Sequence, residues 1–211
     1  MTHPPLRAHD LLWVSETPTA TDGAPLPDWA VAVYRQGAPV VVRRAPHGAD
    51  GVVPVGLRGS ARHERCAATV AATSITRVMT PEALAGTAAT IAHDAPFAAL
   101  RTLRALAFAL DALGWAWGPT GGAGFALASS LPVLHADSDL DLVVRMPNAP
   151  SAAHCARLVN VLESTECRVD LQIDTGHGGF ALRDWLASPH QTLLKTDHGP
   201  RLVADPWSER V

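Results

Sequence analysis

The stretch Ser138-Asp139-Leu140-Asp141-Leu142-Val143-Val144 constrains this chain more than any other. Polar and apolar residues alternate with a period of two, which predicts a β-strand carrying Asp139 and Asp141 on one face and Leu140 and Leu142 on the core face. Two neighbouring carboxylates repel each other unless a cation lies between them. Magnesium suits such a pair, because it prefers hard oxygen ligands and keeps positions open for substrate phosphates. A third acid falls in Arg168-Val-Asp-Leu-Gln-Ile173, a second alternating run that sets Asp170 against Val169 and Leu171. If the two strands are neighbours, the three carboxylates converge. Such a set can hold one or two divalent ions for in-line phosphoryl or nucleotidyl transfer, and Asp170 can take the proton of an attacking hydroxyl. Asp174 shares the face of Asp170 and is the alternative third acid.

The rest of the chain predicts a mixed α/β (α+β) fold in two domains, residues 1–80 and 81–211. The first is small and strand-rich. An apolar run at Leu11–Val14 is followed by a loop from Glu16 to Asp28 rich in Thr, Pro and Gly. Residues 29–34 and 39–43 read as a hairpin turning near Gly37. Val52–Leu57 is a further strand, and Arg62 to Ala72 reads as a helix. The second domain opens at Thr80-Pro81-Glu82, with a Thr cap, a Pro and a first-turn acid. From Asp94 to Gly114, Phe97, Leu100, Leu103, Ala107, Leu110 and Leu113 mark one face of a helix. Then come a strand at Trp115–Trp117, a glycine-rich turn from Gly118 to Ser130, the Asp139/Asp141 strand and a helix from Ser151 to Glu163. The Asp170 strand follows, then a short helix from Phe180 to Leu186 and a strand at Leu202–Val203.

Composition narrows the function classes. The formal net charge is −3, so there is no global basic field of the kind a non-specific nucleic-acid binder carries. No apolar stretch is long enough to span a bilayer. The three cysteines are odd in number and lack C-x-x-C spacing, which fits a reducing cytoplasm; Cys66, Cys155 and Cys167 read as small core residues. The histidines show no metal-ligand spacing, and Trp115 and Trp117 read as core aromatics. Gly121, Gly122 and Gly124 let backbone N–H groups approach phosphate oxygens closely, so this turn is a candidate cradle for a leaving diphosphate. Lys195, Arg201, Arg58 and Arg62 are candidate cations for a phosphate-bearing substrate.

The order of these parts resembles the DNA polymerase β-like nucleotidyltransferases, in which a Gly-Gly or Gly-Ser turn precedes an acid pair on one strand and a third acid on another. Gly122 stands where many members carry serine, and the stretch from Gly122 to Asp139 is long for the superfamily. Both features suit one branch. Trp117 to Ser129, Ser138-Asp-Leu-Asp-Leu142, Arg168-Val-Asp-Leu-Gln172, Leu193-Leu-Lys195, Gly199-Pro-Arg-Leu202 and His9-Asp-Leu-Leu-Trp13 together resemble the malonate decarboxylase holo-acyl-carrier-protein synthases, the phosphoribosyl-dephospho-CoA transferases. The resemblance implies a nucleotidyltransferase-type second domain with a mixed sheet flanked by helices. It implies a magnesium-dependent enzyme that attaches triphosphoribosyl-dephospho-CoA to a serine of the apo acyl carrier protein, releasing diphosphate. Asp139, Asp141 and Asp170 would be metal ligands and catalytic groups; Gly121, Gly122, Gly124, Ser138, Lys195 and Arg58 would bind substrate, and the resemblance ranks Lys195 first among the cations. The first domain would bind substrate or carrier. An adenylyltransferase of the same fold, acting on a small molecule, a toxin or tRNA, is the alternative.

Overall fold

The computed structural model describes residues 5–46, 51–61, 63–163 and 165–208. Arg62, named above as a candidate cation, lies outside them. The chain divides into two compact units: Met1–Thr80 with Phe125–Val133, and Pro81–Gly124 with Leu134–Val211.

The first unit is built on an antiparallel sheet. Its elements are β1 (Leu11–Val14), β2 (Thr19–Ala20), α1 (Asp28–Arg35), β3 (Val40–Val42), β4 (Val52–Arg58), β5 (Arg65–Ala71) and β6 (Ile75–Met79). The strand order is β2-β5-β4-β3-β1-β6. Leu12, Val40, Val42, Val55, Leu57 and Ala68 form its core, with Ala30 of α1 packed among them.

Two expectations fail in this unit. Residues 29–34 form α1, not a strand. Alternating Ala and Val satisfy either period over so short a run; Asp28 in the first turn and Arg35 in the last favour the helix. The turn at Gly37 holds, with a left-handed φ of 82° that glycine accepts freely. Residues 65–71 form β5, not a helix. Its Ala content misleads, whereas β-branched Thr69 and Val70 and full pairing from Val52↔Ala71 to Arg58↔Arg65 decide for the strand.

The second unit carries the helices α2 (Pro81–Ala85) and α3 (Ala98–Asp111), strand β7 (Ala116–Pro119), and α4 (Gly121–Ser129), whose later residues cluster with the first unit. Then follow β8 (Leu140–Arg145), α5 (Ala152–Leu162), β9 (Val169–Asp174), β10 (Gly179–Ala181), α6 (Leu182–Ala187), β11 (Thr192–Thr196) and β12 (Gly199–Val203). The sheet runs β12-β11-β10-β9-β8-β7. Among the described strands β8 and β9 alone pair in parallel, joined by α5 as the crossover that parallel strands require. The fold is thus mixed, with helices and two sheets, as the sequence predicts.

The glycine-rich stretch is a third correction of kind. Gly121 to Ser129 is helical, not a turn; Ala123, Phe125, Ala126, Leu127 and Ala128 are sufficient helix formers to carry the glycines. The 202–203 strand is longer than expected and forms a hairpin with β11, which the sequence reading did not recognise as a strand. Residues 179–181 are strand before α6 begins. No helix among the described residues is long and apolar enough to cross a membrane. The three cysteines are half-buried rather than core, and burial pushes the thiols of Cys66 and Cys155 up.

Candidate active site

The site belongs to one end of the β8–β9 pair. The parallel register sets Asp141 beside Asp170, Val143 beside Gln172 and Arg145 beside Asp174, and register partners share a face. The opposite face carries Leu140, Leu142, Leu171 and Ile173, all buried. That apolar layer fixes the register, since a slip of one residue would bury the acids. Asp139 precedes β8 by one residue.

Arg168 stands among the acids. Its Nε and Nη2 both donate to Oδ1 of Asp170, at 3.1 and 2.7 Å, and its Nη1 lies 4.0 Å from Oδ2 of Asp139. The hydrogen bond and charge of Asp170, with the charges of Asp139 and Asp141 behind them, push the Arg168 guanidinium above its ordinary value. One cation therefore feels all three carboxylates. Asp139 and Asp170 are 36% and 39% exposed, so the group opens to solvent. Among the described residues, no three or more His, Cys, Asp or Glu side chains are gathered around a ready-made metal position; the charge at the acids is met by the guanidinium.

The start of α4 lies against Asp141. The Thr120 N–H donates to the Asp141 carbonyl at 2.9 Å. Gly121 takes a left-handed φ of 53°, and a Cβ there would fall on the Asp141 carboxylate. Glycine is required on both counts. A Cβ on Gly124 would press on the Pro119 carbonyl, so this glycine allows α4 to fold back closely on β7. Gly122 is buried in the first turn of α4. The carboxylate of Asp141 thus meets the positive end of a helix, where negative charge is favoured.

The remaining candidates divide. Ser138 closes the turn before Asp139: its Oγ accepts from the His135 N–H at 2.9 Å. Lys195 is exposed and pairs with Gly179, which pairs with Asp174, so it shares the sheet face of the acids without joining them. Arg201 pairs with buried Leu194 and so points to the opposite face. Arg58 ends β4 in the first unit, opposite Arg65. Asp174 is committed elsewhere. It is bonded by Arg145 Nη1 at 2.5 Å, while Arg145 Nε donates to Glu82 Oε1 at 2.9 Å; Arg145 and Asp174 are both buried. Trp117 is buried, its Nε1 donating to Asp111, and Trp115 meets His154 edge-on.

Sequence reasoning gave Arg168 no role, although its position two residues before Asp170 places it on the same face. The Arg145 ion pairs left no local signal, since Glu82 is 63 residues away in sequence.

Comparison with known proteins covers nearly the whole chain. Residues 7–81 match the family described as the phosphoribosyl-dephospho-CoA transferase MdcG N-terminal domain, and residues 83–206 match the corresponding C-terminal domain. A phosphoribosyl-dephospho-CoA transferase of Pseudomonas putida (strain GB-1) is 45% identical over 204 residues, spanning 96% of this chain and 95% of that protein. One of Azotobacter vinelandii is 45% identical over 205 residues, spanning 95% and 94%, and one of Pseudomonas aeruginosa is 45% identical over 200 residues, spanning 94% and 92%. No solved structure matches. With both family domains present in order and identity of this level from end to end, the chain belongs to the phosphoribosyl-dephospho-CoA transferase family.

Proposed function

We propose that this chain transfers the triphosphoribosyl-dephospho-CoA precursor to a serine hydroxyl of the apo acyl carrier protein of malonate decarboxylase, working in the cytoplasm as a nucleotidyltransferase. The carrying observation is the register of Asp141 with Asp170, with Asp139 within reach of the same guanidinium. Hard oxygens on one solvent-open rim, beside the Arg168 guanidinium, fit magnesium, as one ion or two. Asp139, Asp141 and Asp170 would hold it. An ion held there would neutralise phosphate charge and help align the reacting oxygens.

The chain's own groups supply the rest. The serine oxygen forms a bond to the phosphorus that carries the dephospho-CoA ribosyl group, and the bond from that phosphorus to diphosphate breaks. In this reading Asp170 accepts the hydroxyl proton at its carboxylate. The first turn of α4, with Gly121 and Gly122, offers N–H groups and a positive helix end to phosphate oxygens. Lys195, on the same sheet face, is assigned to the triphosphate, with Ser138 shaping the approach to Asp139. Arg58 and the first unit are assigned to the carrier or to the CoA portion of the precursor.

The test is direct. Purified chain, magnesium, the precursor and apo carrier protein should release diphosphate and add the prosthetic group to the carrier, as read by mass. Omission of the carrier, or chelation of the metal, should stop both. Transfer of plain AMP from ATP to another acceptor, with an unmodified carrier, overturns this reading in favour of an adenylyltransferase.

A further inference from the structure

Arg168 and Arg145 meet the same two strands in different ways. Arg145 is buried and locked between Glu82 and Asp174. Arg168 is 54% exposed, and its side-chain partners are the candidate metal ligands themselves, Asp170 and Asp139. Both of its hydrogen bonds fall on one oxygen, Oδ1 of Asp170. A carboxylate oxygen that accepts twice from a guanidinium has little left for a metal ion. Exposed ion pairs of this type hold weakly, whereas a divalent ion brings twice the charge to the same acids.

We propose that Arg168 is a built-in counter-cation that holds Asp139 and Asp170 together beside Asp141 in the metal-free protein and competes with a divalent cation for these carboxylates. The inference rests on the reading of these acids as metal ligands. Arg168 is thus a positioning residue whose guanidinium and the metal compete for one set of oxygens. The metal-free rim stays assembled without the repulsion that three bare carboxylates would generate, at the cost of weaker metal binding.

The experiment is a titration of the full chain with manganese, free of nucleotide, with free Mn2+ followed by electron paramagnetic resonance. Arg168→Gln should tighten Mn2+ binding by about two- to fivefold, the range expected for releasing an exposed ion pair. Arg168→Lys, which keeps the charge and loses the planar fork, should fall between. Melting curves in a chelator should show both variants folded, with the Gln variant gaining more in melting temperature from added Mn2+ than the wild type. Equal Mn2+ affinity in all three proteins overturns the competition and leaves the metal reading standing. Weaker binding in the Gln variant overturns it too, because Arg168 would then be assisting the metal. Absence of Mn2+ binding in every protein removes the metal reading and the competition with it.

Discussion

Asp170 and Asp174 lie on one strand and one face, beside the same neighbouring strand, yet they meet opposite partners. Asp170 faces Asp141, a like charge, and Asp174 faces Arg145. At the Asp174 end the ion pair is buried and extended by Glu82, and Asp174 also accepts from the Gly176 N–H at 2.9 Å. At the Asp170 end the acids are open to solvent and balanced by an arginine that is itself half in water. Opposed charges in register make structure. Like charges in register, left at a rim and offset by an exposed arginine, are a cost to folding, and such costs are kept at functional sites.

The largest expected effect breaks the rim without touching the buried end. Asp141→Asn keeps the shape of the side chain and removes one carboxylate charge. Transfer to the carrier should fall by about a thousandfold or more, as when a charge-stabilising group is lost at a phosphoryl-transfer site. The melting temperature should hold or rise, since a like-charge pair has been relieved. Near-normal turnover would erase the difference drawn between the two ends.

The mirror experiment is Asp174→Ala. It leaves the buried Arg145 with Glu82 as an acid partner and its Nη1 donor without the Asp174 carboxylate, at a cost of about 1 to 3 kcal/mol. Denaturant unfolding should show that loss. Mn2+ affinity of the folded protein should stay at the wild-type value, because Asp174 lies beyond the rim acids. An intact melting curve with lost metal binding would move the third ligand from Asp170 to Asp174.

The two ends were unequally legible in the sequence. Asp139, Asp141 and Asp170 are visible because strand alternation is local, as are α3 and α5, whose apolar spacing and Ser151 cap speak for themselves. Which β9 acid faces Asp141 is not local. It depends on the register of a parallel pair, set by the α5 crossover and by Leu142 settling beside Leu171. Arg145 carries no local signal either, because its partner Glu82 comes from α2. In α1 and β5 the failure has one source: runs rich in Ala and Val carry neither period clearly, and tertiary packing decides. In α4 the glycines spoke louder than the helix formers between them, although two of these glycines are there for close approach, Gly121 to Asp141 and Gly124 to Pro119.

Gly121 offers the finest test, because it touches the rim from another element. Gly121→Ala carries two costs. One is backbone strain at a φ of 53°, and the other is displacement of the Asp141 carboxylate that occupies the place of the new methyl group. Gly114 separates them: its φ is 79°, yet nothing lies within 4 Å of a Cβ there. Both Ala variants should lose about 1 to 2 kcal/mol of stability from the left-handed backbone alone. Only Gly121→Ala should also lower transfer to the carrier, by about tenfold, as expected when a reacting group is shifted by a fraction of an ångström to an ångström. If the two variants match in turnover as well as in melting, Asp141 owes nothing to the start of α4. The rim would then be held by β8, β9 and Arg168 alone.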